Sequence, residues 1–579
     1  MKMLIPALLS MGVALSCGET MAAPSLILHG GKIYTAEPAT PLQQAIAIEN
    51  GKVLAVGSDQ AILGLRGATT EVVDLQGKVL MPGLIDSHSH AIRGGLQLGQ
   101  TCVDGNLLPF DQLQQRLRDG IADGKAKRGD TFIVCGLPSS YWSELPKFSR
   151  YFDHGEWADK PVLFLGWDQH TGWANRAMLR RAGVDAAYVR GLSAALQETI
   201  GQDAHGQPNG FLADDGLYAL MDHLPPLSHA ALVQGAHAAI DYYHSLGVTA
   251  WMDPTANDAP GQALTNQSQG MLPIYKELAD RGELNVHVAA LMLVDSKATP
   301  ADLDDVAKVR EQFADVPNLT IPGIKVFADG VPEYPAQTAA MLEPYRGTNK
   351  SGELLLDPAT YPALVDAADA RGWLVHVHAL GDRATRVALD GVAQARKARQ
   401  SGVPHSITHL QMVSPQDYDR FKQLDVIASM QLFWASADEN SVDLVQPYVS
   451  PALFEHQYPA RSLADHGATI AGASDWPVTT PDPWQAIYQA ITRKGPKGVL
   501  APTERLDRDT MLRVYTANAA RAIRLENSIG SLKPGKQADM VLLDRDVFRV
   551  PVEALRETRA LRTWFAGREV YSRPNASEQ

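Results

Sequence analysis

Residues 81–90 read Met81-Pro82-Gly83-Leu84-Ile85-Asp86-Ser87-His88-Ser89-His90, which places two histidines directly after a short apolar run. Such a run is typical of a buried parallel strand. His88 and His90 are two residues apart, so their side chains project to the same side of a strand. Two imidazoles on one side can bind one metal ion together. The stretch therefore predicts a pair of metal ligands at the end of a strand.

Four later segments repeat this arrangement, with a ligand-type residue after small or β-branched apolar residues. They place Lys325, His378, His409 and Asp475 at the ends of predicted strands. A barrel of parallel strands gathers its strand ends on one face, where its active sites lie. We therefore expect these four side chains to meet the two histidines in one cleft.

The middle of the chain alternates predicted strands with helical stretches, which indicates βα units and an α/β fold. Eight strands are predicted to start near Leu84, Gly247, Asn285, Gly323, Trp373, Ser406, Val426 and Thr469. Eight is the strand number of a TIM-type (β/α)8 barrel. The gap after the first strand is too long for one crossover, so we predict an insertion at about residues 97–240, with its own strands at 132–135 and 162–167.

The two ends of the chain, residues 24–82 and 530–579, contain short predicted strands separated by turns. Residues 25–34 are predicted as a strand, and Asn50-Gly51 is a strong hairpin signal. Strands are also predicted near residues 539–543 and 561–571. We expect both ends to pair into one small β-sandwich beside a barrel domain of residues 83–529.

Residues 1–23 have the pattern of a cleaved secretory signal peptide. Lys2 precedes an apolar run, and small residues follow up to Ala22 and Ala23. We therefore predict a periplasmic or secreted protein. A lipoprotein anchored at Cys17 and an uncleaved hydrophobic N-terminus are the open alternatives. The run is too short for a membrane span, which needs roughly 20 apolar residues, and no other stretch is long and apolar enough.

Composition and charge exclude several classes of partner and site. The net charge of −13 over 579 residues gives no general attraction to nucleic acid, so none is expected as a partner. Outside the leader, Cys102 and Cys135 lie in no CxxC or CxxH pattern, which excludes a cysteine zinc site. These two cysteines form either a disulfide or two buried thiols.

The stretch at 81–90 resembles the PGxIDxHxH opening of the amidohydrolase superfamily. Later segments resemble its amidohydrolase 3 branch, which includes YtcJ-like and AepA-like proteins and N-substituted formamide deformylases. The resemblance spans roughly residues 25–575. The segments that carry it are Lys325-Val326-Phe327-Ala328-Asp329-Gly330, His378-Ala379-Leu380-Gly381-Asp382-Arg383-Ala384, Ser474-Asp475-Trp476-Pro477-Val478, Thr516-Ala517-Asn518-Ala519-Ala520 and the glycine-rich stretch at 530–539.

The resemblance implies a distorted (β/α)8 barrel beside a β-sandwich, with one or two metal ions. The two histidines of the opening motif would bind the more buried ion with Asp475, and His378 and His409 would bind the second. Lys325 would bridge both ions if carbamylated; the alternative is an unmodified lysine beside a single ion. Zinc suits these ligands best, with manganese, iron and nickel as alternatives.

The resemblance further implies an exported hydrolase that cleaves the C–N bond of an amide, N-substituted formamide or carbamate. Asp475 would accept the proton of the metal-activated water and return it to the leaving nitrogen. Superfamily deaminases usually carry a Glu shortly after the residue equivalent to His378, and this chain has none there. A mononuclear deaminase, an isomerase or cyclase, and a non-catalytic secreted protein are the alternatives.

The segment Trp167-Asp168-Gln169-His170-Thr171-Gly172-Trp173-Ala174-Asn175 resembles a family segment whose histidine often faces the cleft. We expect His170 to contact the substrate or its oxyanion, the alternative being a packed or capping histidine. Members of the family are often dimers, so a homodimer is one assembly that the resemblance allows.

Four aromatic residues could either line an apolar pocket or belong to the core: Trp142, Trp251, Phe433 and Trp434. If they line a pocket, an aryl or long acyl group of the substrate would fit it.

Overall fold

The computed structural model describes residues 23–259, 262 and 264–574. Of the predicted signal peptide, only Ala23 lies among the described residues; Cys17 lies outside them. Within the described residues, none of the helices combines the length and the apolar character that crossing a membrane requires.

In the part of the chain that the structure describes, eight parallel strands form one sheet that curves into a barrel. The last strand returns to the first, where the Ser87 N–H donates to the Gly472 carbonyl at 2.9 Å. The predicted α/β class with a distorted (β/α)8 barrel is therefore confirmed. Barrel strands 1 to 8 are, in order, Leu84–Asp86, Val248–Asp253, His287–Leu293, Leu319–Phe327, Leu374–Ala379, Ser406–His409, Ile427–Met430 and Thr469–Gly472.

Helices cover the outside of the barrel and explain why its strands are apolar on both faces. Every residue of Val248–Asp253 is buried, for example. The α-helices outside the insertion and the sandwich are Ala91–Gln97, His229–Ser245, Leu272–Asp280, Asp302–Gln312, Tyr361–Ala370, Asp382–Ala398, Tyr418–Leu424, Pro451–Phe454, Ala460–Asp465, Pro483–Thr492, Arg508–Val514, Ala517–Ala522 and Val552–Leu555.

The segment between barrel strands 1 and 2 contains an insertion with its own mixed sheet. In spatial order its strands are Ile200–Gln202, Pro208–Ala213, Thr171–Ala174, Val162–Gly166, Thr131–Leu137 and Lys127–Arg128. Its α-helices are Phe110–Ala122, Leu145–Phe152, Arg176–Ala182, Ala186–Gly191, Ala194–Glu198 and Asp214–Met221. Of the two states considered for the cysteines, the structure has the disulfide, which joins Cys102 to Cys135.

The helix His229–Ser245 falls within the residues predicted as insertion but packs against the first barrel helix, Ala91–Gln97. Two glycines permit this close packing. A Cβ on Gly95 would lie 1.9 Å from the carbonyl oxygen of Gly235, so a larger residue would push the helices apart. This helix therefore belongs to the barrel wall and leads into barrel strand 2.

The two ends of the chain form a β-sandwich of two sheets. One sheet has the order Lys52–Gly57, Ala45–Glu49, Leu26–His29 and Glu71–Asp74, beside the short helix Asp59–Leu63. The other has the order Arg568–Ser572, Ala560–Phe565, Met540–Leu543, Val79–Pro82, Lys32–Tyr34 and Leu42–Gln43. Apolar side chains of both sheets share one core cluster, so the predicted sandwich of N- and C-terminal strands is confirmed.

Residues 25–34 differ from the prediction, because they form two strands in different sheets and not one. Gly30 lies between Leu26–His29 and Lys32–Tyr34 with a φ of 68°, in the left-handed region that glycine adopts readily. The turn at this glycine moves the chain from one sheet of the sandwich to the other.

The Pro82-Gly83 pair joins the sandwich directly to barrel strand 1. Met81 pairs with Val541 of the C-terminal segment, and Leu84 begins the barrel strand two residues after Pro82. A Cβ on Gly83 would lie 2.1 Å from Thr249 Oγ1, so the close contact with barrel strand 2 requires a glycine here. The opening motif thus connects the two units immediately before His88 and His90.

Candidate metal centre

His88, His90 and Asp475 meet where the barrel closes. The first two follow barrel strand 1, and Asp475 follows barrel strand 8. The Nε2 atoms of both histidines lie 3.3 Å from Asp475 Oδ1. That oxygen is buried and, among the described residues, has no hydrogen-bond partner. Two imidazole nitrogens around an unpaired carboxylate oxygen fit a divalent cation, and this ligand set suits zinc.

The ring of His88 is held in the orientation that metal binding needs. Its Nδ1 lies 2.6 Å from His376 Nε2, and His376 Nδ1 lies 2.6 Å from Ser406 Oγ. If His376 donates to the hydroxyl, its Nε2 accepts from His88, which leaves the His88 Nε2 lone pair free toward Asp475. Burial, with the charge of Lys325, lowers the pKa of His88 to about 3, so the ring is neutral as a ligand must be.

His378 and His409 lie at the ends of adjacent barrel strands, with ring centroids 4.5 Å apart. His409 Nδ1 lies 3.0 Å from Gln431 Oε1, so its Nε2 stays free. His378 Nε2 lies 3.3 Å from the Gly330 carbonyl oxygen. Burial holds the pKa of both rings well below the usual range, so both are neutral. Asp475 Oδ2 is 3.9 Å from His409 Nδ1, so the structure brings His409 beside Asp475, and His378 lies next to His409.

The backbone is strained at two of these predicted ligands. His409 has a φ of 77° and Asp475 has a φ of 57°, in the left-handed region that side chains other than glycine rarely adopt. Asp86 helps to hold Asp475 there, because it accepts hydrogen bonds from the Ser474 N–H at 3.0 Å and the Ser474 hydroxyl at 2.5 Å. Such strain persists where the surroundings enforce it, which is common at functional sites.

Lys325 lies on barrel strand 4 in register with His376 and is 1% exposed. Burial lowers the pKa of its ammonium to about 7, although the charge of Asp475 acts in the opposite direction. A lowered pKa increases the fraction of neutral amine, which is the form that the expected carbamylation requires. Lys325 lies close enough to the predicted ligands for its charge to act on His88 and for the charge of Asp475 to act on Lys325.

Asp329 orders the loops beyond His378. Its carboxylate accepts hydrogen bonds from the backbone N–H groups of Ala340, Leu380 and Gly381 at 2.8 to 3.0 Å. One of its oxygens lies 3.7 Å from His378 Nε2. Three backbone bonds to one buried carboxylate fix the chain on both sides of the site.

The insertion contributes His170 to the same cleft. Its ring lies 5.5 Å from that of His378, and its Nδ1 lies 2.6 Å from Asp214 Oδ1. Burial lowers the pKa of His170, but the hydrogen bond and charge of Asp214, with Asp168 and Asp475, outweigh burial and raise it to about 8. A protonated imidazole is suited to an oxyanion contact.

A cavity of about 840 Å³ leads to these side chains. His170, His378, His409 and Asp475 line it, together with aromatic side chains that include Phe433 and Trp434. The Trp434 ring stacks on His409 with centroids 5.5 Å apart. This volume lies in the range of pockets that bind small molecules.

Two of the four aromatic residues considered for the pocket belong to the core instead. Trp142 packs in the core of the insertion against Phe148, with ring centroids 5.8 Å apart. Trp251 stacks on Tyr243 with centroids 5.0 Å apart. Both are bulky apolar side chains on well-packed elements, for which a core position is the ordinary outcome.

Sequence reasoning missed several residues of the site. His376 was not singled out as a site residue; it is fully buried in the barrel and its Nε2 contacts His88 Nδ1. Gln411 and Glu333 line the cavity and were not singled out. The spacing of Gln411, two residues after His409, is a signal that could have found it. No comparable signal marks Asp214, which the fold of the insertion brings to His170.

Comparisons with known proteins agree with this geometry. The amidohydrolase 3 model of the amidohydrolase family matches residues 71–571. The Arabidopsis thaliana protein LONG AFTER FAR-RED 3 is 30% identical over 561 residues, covering 94% of this chain and 91% of that protein. The N-substituted formamide deformylase of Arthrobacter pascens is 23% identical over 573 residues, covering 95% and 98%. The crystal structure of an uncharacterized metal-dependent hydrolase from Pyrococcus horikoshii OT3 has a TM-score of 0.69 at 26% identity, covering 91% of this chain and 99% of that one.

Proposed function

The chain belongs to the amidohydrolase family, in the amidohydrolase 3 branch, and from this premise we propose that it is a zinc-dependent hydrolase of a C–N bond. The bond would be that of an amide, an N-substituted formamide or a carbamate. The observation that carries the proposal is the unpaired Asp475 Oδ1 between two histidine Nε2 atoms at the base of a cavity large enough for a small molecule.

In this proposal His88, His90 and Asp475 would hold one divalent ion, and His378 and His409, with Lys325 if it is carbamylated, would hold a second. A divalent ion held there supplies Lewis acidity, which makes water a nucleophile near neutral pH and polarises a carbonyl. Asp475 accepts the proton of the attacking water on its carboxylate and delivers it to the leaving nitrogen. His170, protonated, donates to the developing oxyanion.

The choice of a C–N substrate has two supports. The relative from Arthrobacter pascens is named an N-substituted formamide deformylase. The residues that follow His378 are Ala379, Leu380 and Gly381, with no glutamate to donate a proton to a heterocycle. Phe433 and Trp434 in the cavity wall suit an aryl substituent on the substrate.

A deaminase is the second candidate, because Glu333 offers a carboxyl group that could act as its proton donor. Burial raises the pKa of this cavity-lining carboxyl to about 7, so it can donate a proton near neutral pH. A deaminase would release ammonia from an amino-substituted heterocycle. A deformylase would instead release formate and an amine. Product analysis separates the two reactions.

Export is part of the proposal and rests on residues 1–23. Their basic start, apolar run and small residues before Pro24 support a cleaved leader. Expression of the full chain in a bacterium with a periplasm, followed by intact-mass measurement, tests this. A mature chain starting near Pro24 in the periplasmic fraction is expected, and an uncleaved cytoplasmic chain would contradict it. A lipidated mass starting at Cys17 would favour the lipoprotein alternative.

The hydrolase proposal is tested with metal-loaded protein and formanilide, followed by the release of formate and aniline. We expect turnover that is lost on chelation and restored by zinc. Asp475→Asn should lower kcat by about 10²- to 10⁴-fold, because the amide cannot accept the proton. Asp104→Asn is the matched control, since Asp104 is an exposed carboxylate elsewhere in the cavity wall. Full activity of Asp475→Asn would overturn the proposed role, and the absence of turnover on formamides, amides and carbamates would overturn the proposed function.

A further inference from the structure

Gln411 occupies a buried position in the wall of the proposed active-site cavity. It follows His409 by two residues, is 1% exposed and lines the cavity. Its backbone carbonyl accepts a hydrogen bond from the Tyr458 N–H at 2.9 Å, which fixes the loop after barrel strand 6. The side chain is therefore part of a rigid wall beside the predicted ligands.

The orientation of the Gln411 amide follows from its neighbours. Gln457 Nε2 donates to the Ser441 carbonyl oxygen at 3.0 Å, and a backbone carbonyl can only accept, so the direction of the Gln457 amide is fixed. Gln457 must then turn its oxygen to Gln411, whose Nε2 donates to it at 3.0 Å. This bond holds the NH2 group of Gln411 toward Gln457.

This arrangement leaves the Gln411 oxygen without a partner. Oε1 is buried and has no hydrogen-bond partner among the described residues. A buried acceptor that stays unpaired is costly, and a site containing one rejects ligands that cannot supply a donor. In an amide-type substrate, the donor at the reacting centre is the N–H of the scissile bond. N-monosubstituted substrates have this N–H, and N,N-disubstituted substrates do not.

We propose that Gln411 determines substrate class, by accepting a hydrogen bond from the N–H of an N-monosubstituted amide, formamide or carbamate. This inference rests on the proposed hydrolysis of C–N bonds. Gln457 and Ser441 act as positioning residues, since they keep the oxygen of Gln411 available. The role is one of recognition, separate from proton transfer at Asp475.

The test compares formanilide with N-methylformanilide, which differ at the N–H, in the metal-loaded wild-type enzyme and in Gln411→Met. Methionine has a similar length and no amide. We expect kcat/KM for formanilide to fall by about 10- to 100-fold in the variant, while kcat/KM for N-methylformanilide stays within about threefold. If N-methylformanilide is not turned over, its inhibition constant is measured in competition with formanilide. That constant is then compared between the wild-type enzyme and Gln411→Met in place of kcat/KM.

The control is Gln97→Met, another glutamine of the cavity wall, which should leave the ratio of the two substrates unchanged. Equal losses of kcat/KM on both substrates in Gln411→Met would indicate a merely structural role. An unchanged kcat/KM on both substrates would indicate that water satisfies the oxygen. Either result overturns the inference while the hydrolase proposal stands. If the wild-type enzyme hydrolyses neither these nor other C–N substrates, the proposed function fails and the inference fails with it.

Discussion

Single residues of the site depend on neighbours that are not ligands themselves. His88 directs its Nε2 toward Asp475 because His376 engages its Nδ1 and Ser406 engages His376. His90 is held in the same way, with Nδ1 3.0 Å from Thr255 Oγ1. Partners of this kind fix the tautomer and the ring orientation of a metal-binding histidine, and losing one typically weakens metal affinity.

His376→Leu tests this dependence. The substitution keeps an apolar interior but leaves His88 Nδ1 without its partner, so the ring is free to rotate or to change tautomer. We expect the affinity for zinc to fall by about 10- to 100-fold, measured by competition with a chromophoric chelator. His237→Leu on the surface is the control, since His237 is partly exposed and pairs with Glu283. An unchanged zinc affinity in His376→Leu would show that His376 only fills space.

Lys325 should make the metal-free protein more stable as the pH rises. In the folded protein its pKa of about 7 lies below the ordinary lysine value of 10.5, so between these two values the unfolded chain binds a proton that the folded chain has released. The free energy of unfolding therefore rises with pH across this window, by up to about 1.4 kcal/mol per pH unit. Below pH 7 the buried ammonium is charged and lowers the stability by the full amount.

Urea unfolding of metal-free wild type and Lys325→Met, in bicarbonate-free buffers at several pH values from 7 upward, measures this contribution. We expect the free energy of unfolding of Lys325→Met to lack the rise with pH that Lys325 causes. Lys276→Met should keep this rise, because Lys276 lies on the surface. Parallel pH profiles for wild type and Lys325→Met would mean that the lysine does not lose its proton on folding.

At the scale of elements, the barrel explains why the predicted ligands meet. Strand ends that are distant in sequence become neighbours, as at barrel strands 1 and 8, where Ser87 contacts Gly472. The insertion adds the His170 loop between strands Val162–Gly166 and Thr171–Ala174, which pair as a hairpin. The site therefore depends on the barrel for its proposed ligands and on the insertion for a cationic side chain.

Much of this was predictable, because each predicted ligand lies near the end of an apolar strand or shortly after it, and local sequence carries that pattern. The strand at Leu374–Ala379, for example, ends one residue after His378. The spacing after His409 could have placed Gln411 at the site, but its contact with Gln457 and that of Asp214 with His170 were not predictable, because they depend on which loops meet after folding. The two strands within residues 25–34 were missed because a single glycine at position 30, whose φ is positive, was not recognised as a break.

The disulfide within the insertion offers a test at this scale. It closes a separation of 33 residues and ties Cys102 to the strand Thr131–Leu137. Replacing both cysteines with serine should lower the free energy of unfolding of the insertion by about 2–4 kcal/mol, because the unfolded segment gains freedom. Faster limited proteolysis within residues 97–228, with the barrel intact, is the expected readout. A proteolysis rate equal to that of the oxidised wild type would contradict this.

The whole molecule joins its two ends beside the start of the barrel. Val79–Pro82 pairs with Met540–Leu543, and His287 Nε2 on barrel strand 3 lies 2.9 Å from Asp539 Oδ2 of the C-terminal segment. The Gly83 N–H also donates to the Asp539 carbonyl at 2.9 Å. The sandwich thereby fixes the segment that leads into His88 and His90, so both units support the proposed metal centre.

Metal content measured by plasma mass spectrometry, on full-length protein purified without chelator, tests that centre most directly. The account predicts at least one divalent ion per chain in the wild type, lost in the double variant His88→Ala and His90→Ala, because three or more deprotonated side chains converge there. Wild-type protein that binds no divalent metal, even after incubation with zinc and bicarbonate, would contradict it. An unchanged metal content in the double variant would contradict it equally.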